Sequence, residues 1–316
     1  MGRMVDGVWT SEWYRPDEKG RFVRETAAFR QRVEPGGHFD VEAGRYHLYV
    51  AHACPWAHRT LMGRALYHLE DAISVSVVHP EMGDEGWTFE AKDGGTGDQL
   101  FGSSYLREVY TRAKNDYSGR VTVPVLWDTK HGGIVNNESR EILRMMSRHL
   151  RRLGTSDWDL CPEGMDAEVD AAIDDFYHPI NNGVYRSGFA TTQAAYDEAV
   201  EQLFATLDRY EAKLSGQRYL LGKRLTEADI CLFSTLLRFD PVYHYHFKCN
   251  LKRLRDYPSL WGFTLELAQI PEIRKTIFID YVKQHYFRSH PMVNPTRVVP
   301  RGPLIDWDAE HGRERL

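Results

Sequence analysis

One cysteine in this chain stands where sulfur could do chemistry. In HACPWAHRT, residues 52–60, Cys54 closes an apolar stretch and precedes a proline; three residues on, where dithiol redox proteins carry a second cysteine, stands Ala57. Pro55 suits the first position of a helix, because its φ is already helical and its missing N–H has no partner to lose there. Cys54 then sits where the first-turn N–H groups and the positive end of the helix dipole converge, a setting that stabilises a thiolate. Lowering an ordinary thiol pKa of about 8.5 by two units raises the thiolate fraction at neutral pH roughly 25-fold and lowers intrinsic nucleophilicity about eightfold. The net gain in attack is small. The larger effect is on departure, since a low-pKa sulfur leaves readily and a disulfide on Cys54 should be cleaved easily by an incoming thiol. With no cysteine at 57 the second thiol must come from solution. A buried packing role is the alternative for Cys54, and it is the expected role of Cys161, Cys231 and Cys249, which have no such context.

Other residues could complete the chemistry. Pro124 opens the strand-like VPVLWD, and a proline there suits either a sheet edge or a cis turn. A cis Val123–Pro124 bond would turn the backbone of Val123 outward, ready to pair with a peptide-like ligand. Glu138 and Ser139 open the next helix, whose amides favour a carboxylate while the Glu side chain can pair with an ammonium. That combination suits an amino-acid head group, although Glu and Ser also belong to ordinary helix starts. His47, His52, His58, His244 and His246 have poor ligand spacing and no cysteine or carboxylate set beside them in sequence, so no metal site is expected.

The elements that must hold these residues follow a plan. YHLYVAH reads as a strand, PWAHRTLMGRALYHL as a helix and ISVSVVH as a β-branched strand, making a β-α-β unit. A polar, Gly-rich stretch then leads to a helix in SSYLREVYTRAKND, short strands in VTVPVLWD and GGIVNN, and a helix in ESREILRMMSRHL. This order, with a proline opening the third strand, is that of a thioredoxin-like α/β domain, placed at 39–152. Residues 1–38 read as an irregular arm. From 153 to 288 strand signals vanish, and Tyr196, Val200, Leu203, Leu207, Tyr210 and Leu214 recur at steps of four and three, as one helix face requires. Ile173, Phe176, Ile180 and Val184 make another face, with Pro179 as a kink. RLTEADICLF predicts a capped helix start: Thr226 as N-cap, Asp229 answering it, and Leu225 facing Ile230. The tail, 289–316, holds four prolines and should run extended, with reach enough for another subunit.

Bulk properties narrow the classes of function. The 316 residues suit two domains, and 42 % apolar with 27 % charged residues is a soluble globular mixture. No apolar run approaches the roughly 20 residues of a membrane span, and the first residues lack a secretory pattern. Four cysteines in so long a chain make no disulfide framework, so a reducing cytoplasm is expected. A net charge of −5 with scattered Lys and Arg argues against a nucleic-acid partner.

Seven strings in order resemble one family: ACPWAHR, GWTF (86–89), GRVTVPVLWD (119–128), IVNNES (134–139), NNGVYRSGFA (181–190), DPVYHYHFKCN (240–250) and HYFRSHPMVNP (285–295). They are similar to the xi-class glutathione transferases, the glutathionyl-hydroquinone reductases, from the arm to the tail. The resemblance implies a thioredoxin-like domain followed by an all-helical glutathione-transferase domain, a homodimer peculiar to the class, and glutathione as co-substrate without a metal. It implies roles as well: Cys54 takes the glutathione sulfur, Trp87 and Arg120 cover and anchor the tripeptide, Val123 beside Pro124 pairs with its cysteinyl unit, and Glu138 and Ser139 hold its γ-glutamyl end. Tyr185 and Tyr286 correspond to the family's phenols, which would hydrogen-bond the quinol oxygens; where family sequences often read HYY, this chain has His285-Tyr286-Phe287, which leaves Tyr281 as the alternative to Tyr286. Alone, Trp87 and Tyr185 would read as core aromatics and Arg120 as a solvated charge.

Two other functions stay open on sequence. Omega-class relatives share the monothiol motif, so general thioltransfer or dehydroascorbate reduction is one. A glutathione-binding carrier with a vestigial site is the other.

Overall fold

The computed structural model describes residues 2–316. The chain folds into two compact units, neither continuous in sequence. The first takes the chain up to Trp13, Glu25–Trp158 and Asp280–Ser289; the second takes Tyr14–Arg24, Asp159–Ile279 and His290–Leu316. This division splits the first 38 residues between the units and groups the last helix with the first.

In the first unit, strand β1 (Arg3–Val5) and strand β2 (Val8–Thr10) pair antiparallel, with Met4 opposite Trp9. The start of the arm expected to be irregular is thus a hairpin, and its turn is Asp6-Gly7, both at positive φ (48° and 78°). Two-residue turns of this kind match the twist of the flanking strands, which is why Asp-Gly favours them. The second sheet has the order β4-β3-β6-β7, from β3 (Tyr46–Val50), β4 (Ile73–Val77), β6 (Val125–Asp128) and β7 (Gly133–Asn136); β5 (Gly119–Arg120) pairs with β1 instead. β3 runs parallel to β4 and antiparallel to β6, as a β-α-β unit followed by a hairpin dictates.

Every residue of β3 is buried, so its alternation of Tyr and His marks no solvent face. His47 is accommodated because Ser74 and Ser76 bond its two ring nitrogens at 2.7 and 2.8 Å, and burial presses its pKa down to about 4. At the strand's start Arg45 closes on Asp128 through two bonds, Nε to Oδ1 at 2.7 Å and Nη2 to Oδ2 at 2.9 Å. Helix α1 (Pro55–Leu66) buries all but Trp56 and Arg64, and it meets α3 (Ser139–Arg148) closely at Gly63. A Cβ there would stand 2.6 Å from Leu143 Cδ1, so glycine lets the two helices approach. Helix α2 (Leu106–Ala113) lies between β4 and β5 in sequence, and the 3₁₀ turn Leu150–Leu153 follows α3.

The second unit is helical: α4 (Asp166–Phe176), α5 (Gly183–Gly188), α6 (Gln193–Ser215), α7 (Glu227–Leu236), α8 (His244–His246), α9 (Pro258–Gln269) and α10 (Pro271–Arg274). Ile173, Phe176, Ile180 and Val184 are fully buried, as their spacing requires. At Pro179 the expected kink takes the form of a π-helical turn, Tyr177–Asn181, closed by Asn182 N–H on the Tyr177 carbonyl at 2.8 Å. Thr226 and Asp229 form the anticipated capping box in a wholly buried helix. On the long face of α6 Tyr196 is the exception to burial, its hydroxyl donating to the Lys248 carbonyl.

From His290 on, the tail carries no helix or strand but is anchored on the second unit. Arg313 is buried and donates to the carbonyls of Leu214, Ser259, Gln217 and Arg218 and to Glu266. Gln269 donates to the Trp307 and Ala309 carbonyls. The last helix, α11 (Ile279–Ser289), lies almost wholly in the first unit.

Candidate active site

Cys54 is the N-cap of α1, with extended backbone (φ −74°, ψ 119°) and Pro55 at the first helical position. Its N–H donates to the Ala51 carbonyl at 3.1 Å and its own carbonyl accepts from His58 N–H at 2.9 Å, so the sulfur is held at the mouth of the helix. Cys54 is half-buried, whereas Cys161, Cys231 and Cys249 are buried; none of the four is in a disulfide. Burial raises the Cys249 thiol pKa far above its ordinary value, which suits packing rather than chemistry.

The Cys54 thiol lies 3.5 Å from the Val123 carbonyl oxygen, and the Val123–Pro124 bond is cis. The loop before β6 therefore faces the α1 N-terminus. Glu138 caps α3, accepting from Arg140 N–H at 3.2 Å, and Ser139, 2 % exposed, stands in its first turn. Arg59 ties the two helix starts together: its guanidinium lies 4.4 Å over the Trp56 ring, with Nη1 3.5 Å from Ser139 Oγ. A buried cation beside the α3 N-terminus adds to the attraction that its amides hold for a carboxylate.

Arg120 is no solvated charge. It is buried, donating Nη1 to the Glu12 carbonyl at 2.5 Å, Nη2 to the Trp13 carbonyl at 3.2 Å and Nε to Glu25 at 3.1 Å. The arm thus holds the guanidinium expected to anchor the tripeptide. Trp87 is also buried, with its ring stacked on His285 at a centroid distance of 4.8 Å.

The expected phenols fall in different units. Tyr286 lies in the first, 2 % exposed on α11. Tyr185 lies in the second, among the rings of Phe22, Phe189, Tyr243 and Phe247, with the Arg24 guanidinium 5.1 Å over its face. Sequence reasoning did not single out Arg24, and it gave Tyr281 only as the alternative to Tyr286. The Tyr281 ring meets His52 edge-on at 5.3 Å, its hydroxyl donates to the Val78 carbonyl at 2.5 Å, and Gly94, at φ +94°, brings its backbone onto that ring. Burial, and then the charge that Cys54 can carry, raise the Tyr281 pKa, so this phenol keeps its proton. The signal that could have found it is its place one turn before His285 on the same helix face. Among the described residues, no group of three or more His, Cys, Asp and Glu side chains could hold a metal ion.

Residues 53–149 match the family model described as glutathione S-transferase, N-terminal domain, and residues 193–264 match that of the C-terminal domain. The chain is 49 % identical over 326 residues to glutathionyl-hydroquinone reductase YqjG of Escherichia coli, covering 99 % of each. It is 50 % identical over 304 residues to glutathionyl-hydroquinone reductase PcpF of Sphingobium chlorophenolicum, covering 96 % of each. A xi-class glutathione transferase from Natrialba magadii superposes with a TM-score of 0.94 at 50 % identity, over 100 % of this chain and 97 % of that one. The glutathione-bound structure of YqjG superposes with a TM-score of 0.91 at 46 % identity, over 100 % of both. The chain belongs to the glutathione transferase family. Within it, the chain is of the xi class, that of the glutathionyl-hydroquinone reductases.

Proposed function

We propose that this protein reduces glutathionyl-hydroquinones to hydroquinones at the expense of glutathione. The observation that carries the reading is a half-buried cysteine capping α1 beside the Val123 carbonyl, in a chain about half identical to two glutathionyl-hydroquinone reductases.

The Cys54 thiolate attacks the thioether sulfur. A Cys54–glutathione disulfide forms, the aryl C–S bond breaks with its electron pair passing to the ring, and the ring carbon takes up a proton to give the hydroquinone. A second glutathione thiolate then attacks the mixed disulfide, releasing glutathione disulfide and the Cys54 thiolate. One thioether and one thiol become one hydroquinone and one disulfide. Trp87 and Arg120 cover and anchor the tripeptide, the Val123 backbone beside Pro124 pairs with its cysteinyl unit, and Glu138 and Ser139 hold its γ-glutamyl end. Tyr185 and Tyr286 donate to the quinol oxygens and draw electron density from the ring as C–S cleavage proceeds. The protein acts in the cytoplasm as a homodimer; among the described residues no helix is long and apolar enough to cross a membrane.

Incubation with a glutathionyl-hydroquinone and glutathione should yield hydroquinone and glutathione disulfide in equal amounts. Faster turnover of a small mixed disulfide would favour general thioltransfer. No glutathione adduct on Cys54 after exposure to glutathione disulfide would leave only a carrier.

A further inference from the structure

Tyr281, His285 and Ser289 stand four residues apart on α11, and their polar atoms meet alternate residues of the segment after β4. Tyr281 donates to the Val78 carbonyl at 2.5 Å, His285 Nδ1 lies 2.8 Å from the Pro80 carbonyl, and Met82 N–H donates to Ser289 Oγ at 2.9 Å. Four helical residues advance about 6.0 Å and two extended residues about 6.6 Å, so one helix face keeps step with the strand extension. The Pro80 oxygen can only accept, which places a proton on His285 Nδ1; Ser289 Oγ lies 3.3 Å from the same nitrogen. The imidazole fixed in this way lies against the indole of Trp87, with the ring planes 21° apart and both residues 6 % exposed.

The geometry points to His285 as a positioning residue for glutathione binding: its oriented ring is the platform that sets the angle of Trp87. This rests on the role of Trp87 as the tripeptide's cover. His285 acts through Trp87 and not on the substrate. An indole held in place before the ligand arrives need not be ordered by it, so the effect of His285 should appear in affinity for glutathione.

The test is calorimetric binding of S-methylglutathione, which cannot form a disulfide, to the full chain and to the variants W87A, H285N, H285F and W87A/H285N. Asparagine can reproduce the Nδ1–H bond to Pro80 without the ring; phenylalanine keeps the ring without the bond. H285N should weaken binding roughly two- to tenfold, the scale of one aromatic pair. H285F should recover most of that loss, and the double variant should bind no more weakly than W87A. H285N binding like wild type, even with a lowered melting temperature, would show a purely structural histidine and overturn the proposal, as would additive losses or no recovery in H285F. Wild-type binding by W87A would instead remove the covering role of Trp87, and the proposal with it.

Discussion

The Cys54 thiol and the Val123 carbonyl oxygen face each other across 3.5 Å, one at the start of α1 and the other in the loop before β6. The sulfur is thereby fixed relative to a backbone that can pair with a peptide. In the proposed function the backbone of the cysteinyl unit pairs with Val123, which brings the ligand sulfur next to Cys54, as disulfide exchange requires.

Replacing the sulfur should stop the chemistry and spare the fold. C54S keeps the small side chain at a half-buried N-cap, so its melting temperature should stay within a degree or two of wild type. Turnover of a glutathionyl-hydroquinone should fall to the uncatalysed rate, and mass spectrometry should find no glutathione adduct on the variant. Residual turnover in C54S would move the nucleophile elsewhere.

Glu138 has two duties that one substitution separates. Its carboxylate caps α3 through Arg140 N–H, and in the proposed function it pairs with the γ-glutamyl ammonium. E138Q keeps an acceptor for the cap and loses the charge. A charge-assisted bond contributes about 1.5–3 kcal/mol, so KM for glutathione should rise on the order of ten- to a hundredfold with kcat little changed and stability preserved. An unchanged KM would take the ammonium away from Glu138.

Legibility in the sequence divided along the range of the interaction. Local rules found what local physics decides: Pro55 opening α1, the Thr226–Asp229 cap, and the faces of α6 and α4. The Asp6-Gly7 turn is also local, but each strand beside it is three residues long, too short for alternation to show. What no window could show was contact at long range. Arg120 reads as a surface charge until Glu12, Trp13 and Glu25 close on it from a hundred residues away. Trp87 reads as a core ring until α11 brings His285 to it, and nothing local separates Tyr281 from Tyr286 until Tyr281 reaches Val78.

Arg45 and Asp128 make a buried pair whose pH dependence has a definite sign. Burial is the largest single influence on Asp128 and raises its pKa, but the Arg45 bond, the Lys130 N–H and His131 together outweigh it and hold the carboxyl down at about 2. A depressed pKa contributes stability above the unfolded value near 3.8, lost as pH falls through 2. D128N, which leaves buried Arg45 with only the half-exposed Glu42 carboxylate, 3.6 Å away, as counter-charge, should lower unfolding stability by up to about 3–5 kcal/mol at pH 7. The gap between wild type and D128N in urea melts should narrow below pH 4; a constant gap would contradict the pairing.

Asp229 titrates in the opposite sense. It accepts from Leu220 N–H, Thr226 N–H and Thr226 Oγ, each at 2.8 Å, yet it is wholly buried and burial outweighs those donors, pushing its pKa up to about 6. Between the unfolded value of 3.8 and 6 the unfolded chain releases a proton that the folded state retains, so this group's contribution to stability is greatest below pH 4 and is lost as pH rises through 6. A shift of this size corresponds to roughly 3 kcal/mol. D229N does not ionise, so its stability should lack that decline: whatever the loss of an acceptor costs at pH 4, the advantage of wild type should shrink by roughly 2 kcal/mol between pH 4 and 7. Urea unfolding of both proteins across that range reads the difference directly, with every other titrating group common to the two. An advantage that stayed flat would mean that the three donors hold Asp229 ionised throughout and that burial had lost to hydrogen bonding at this cap.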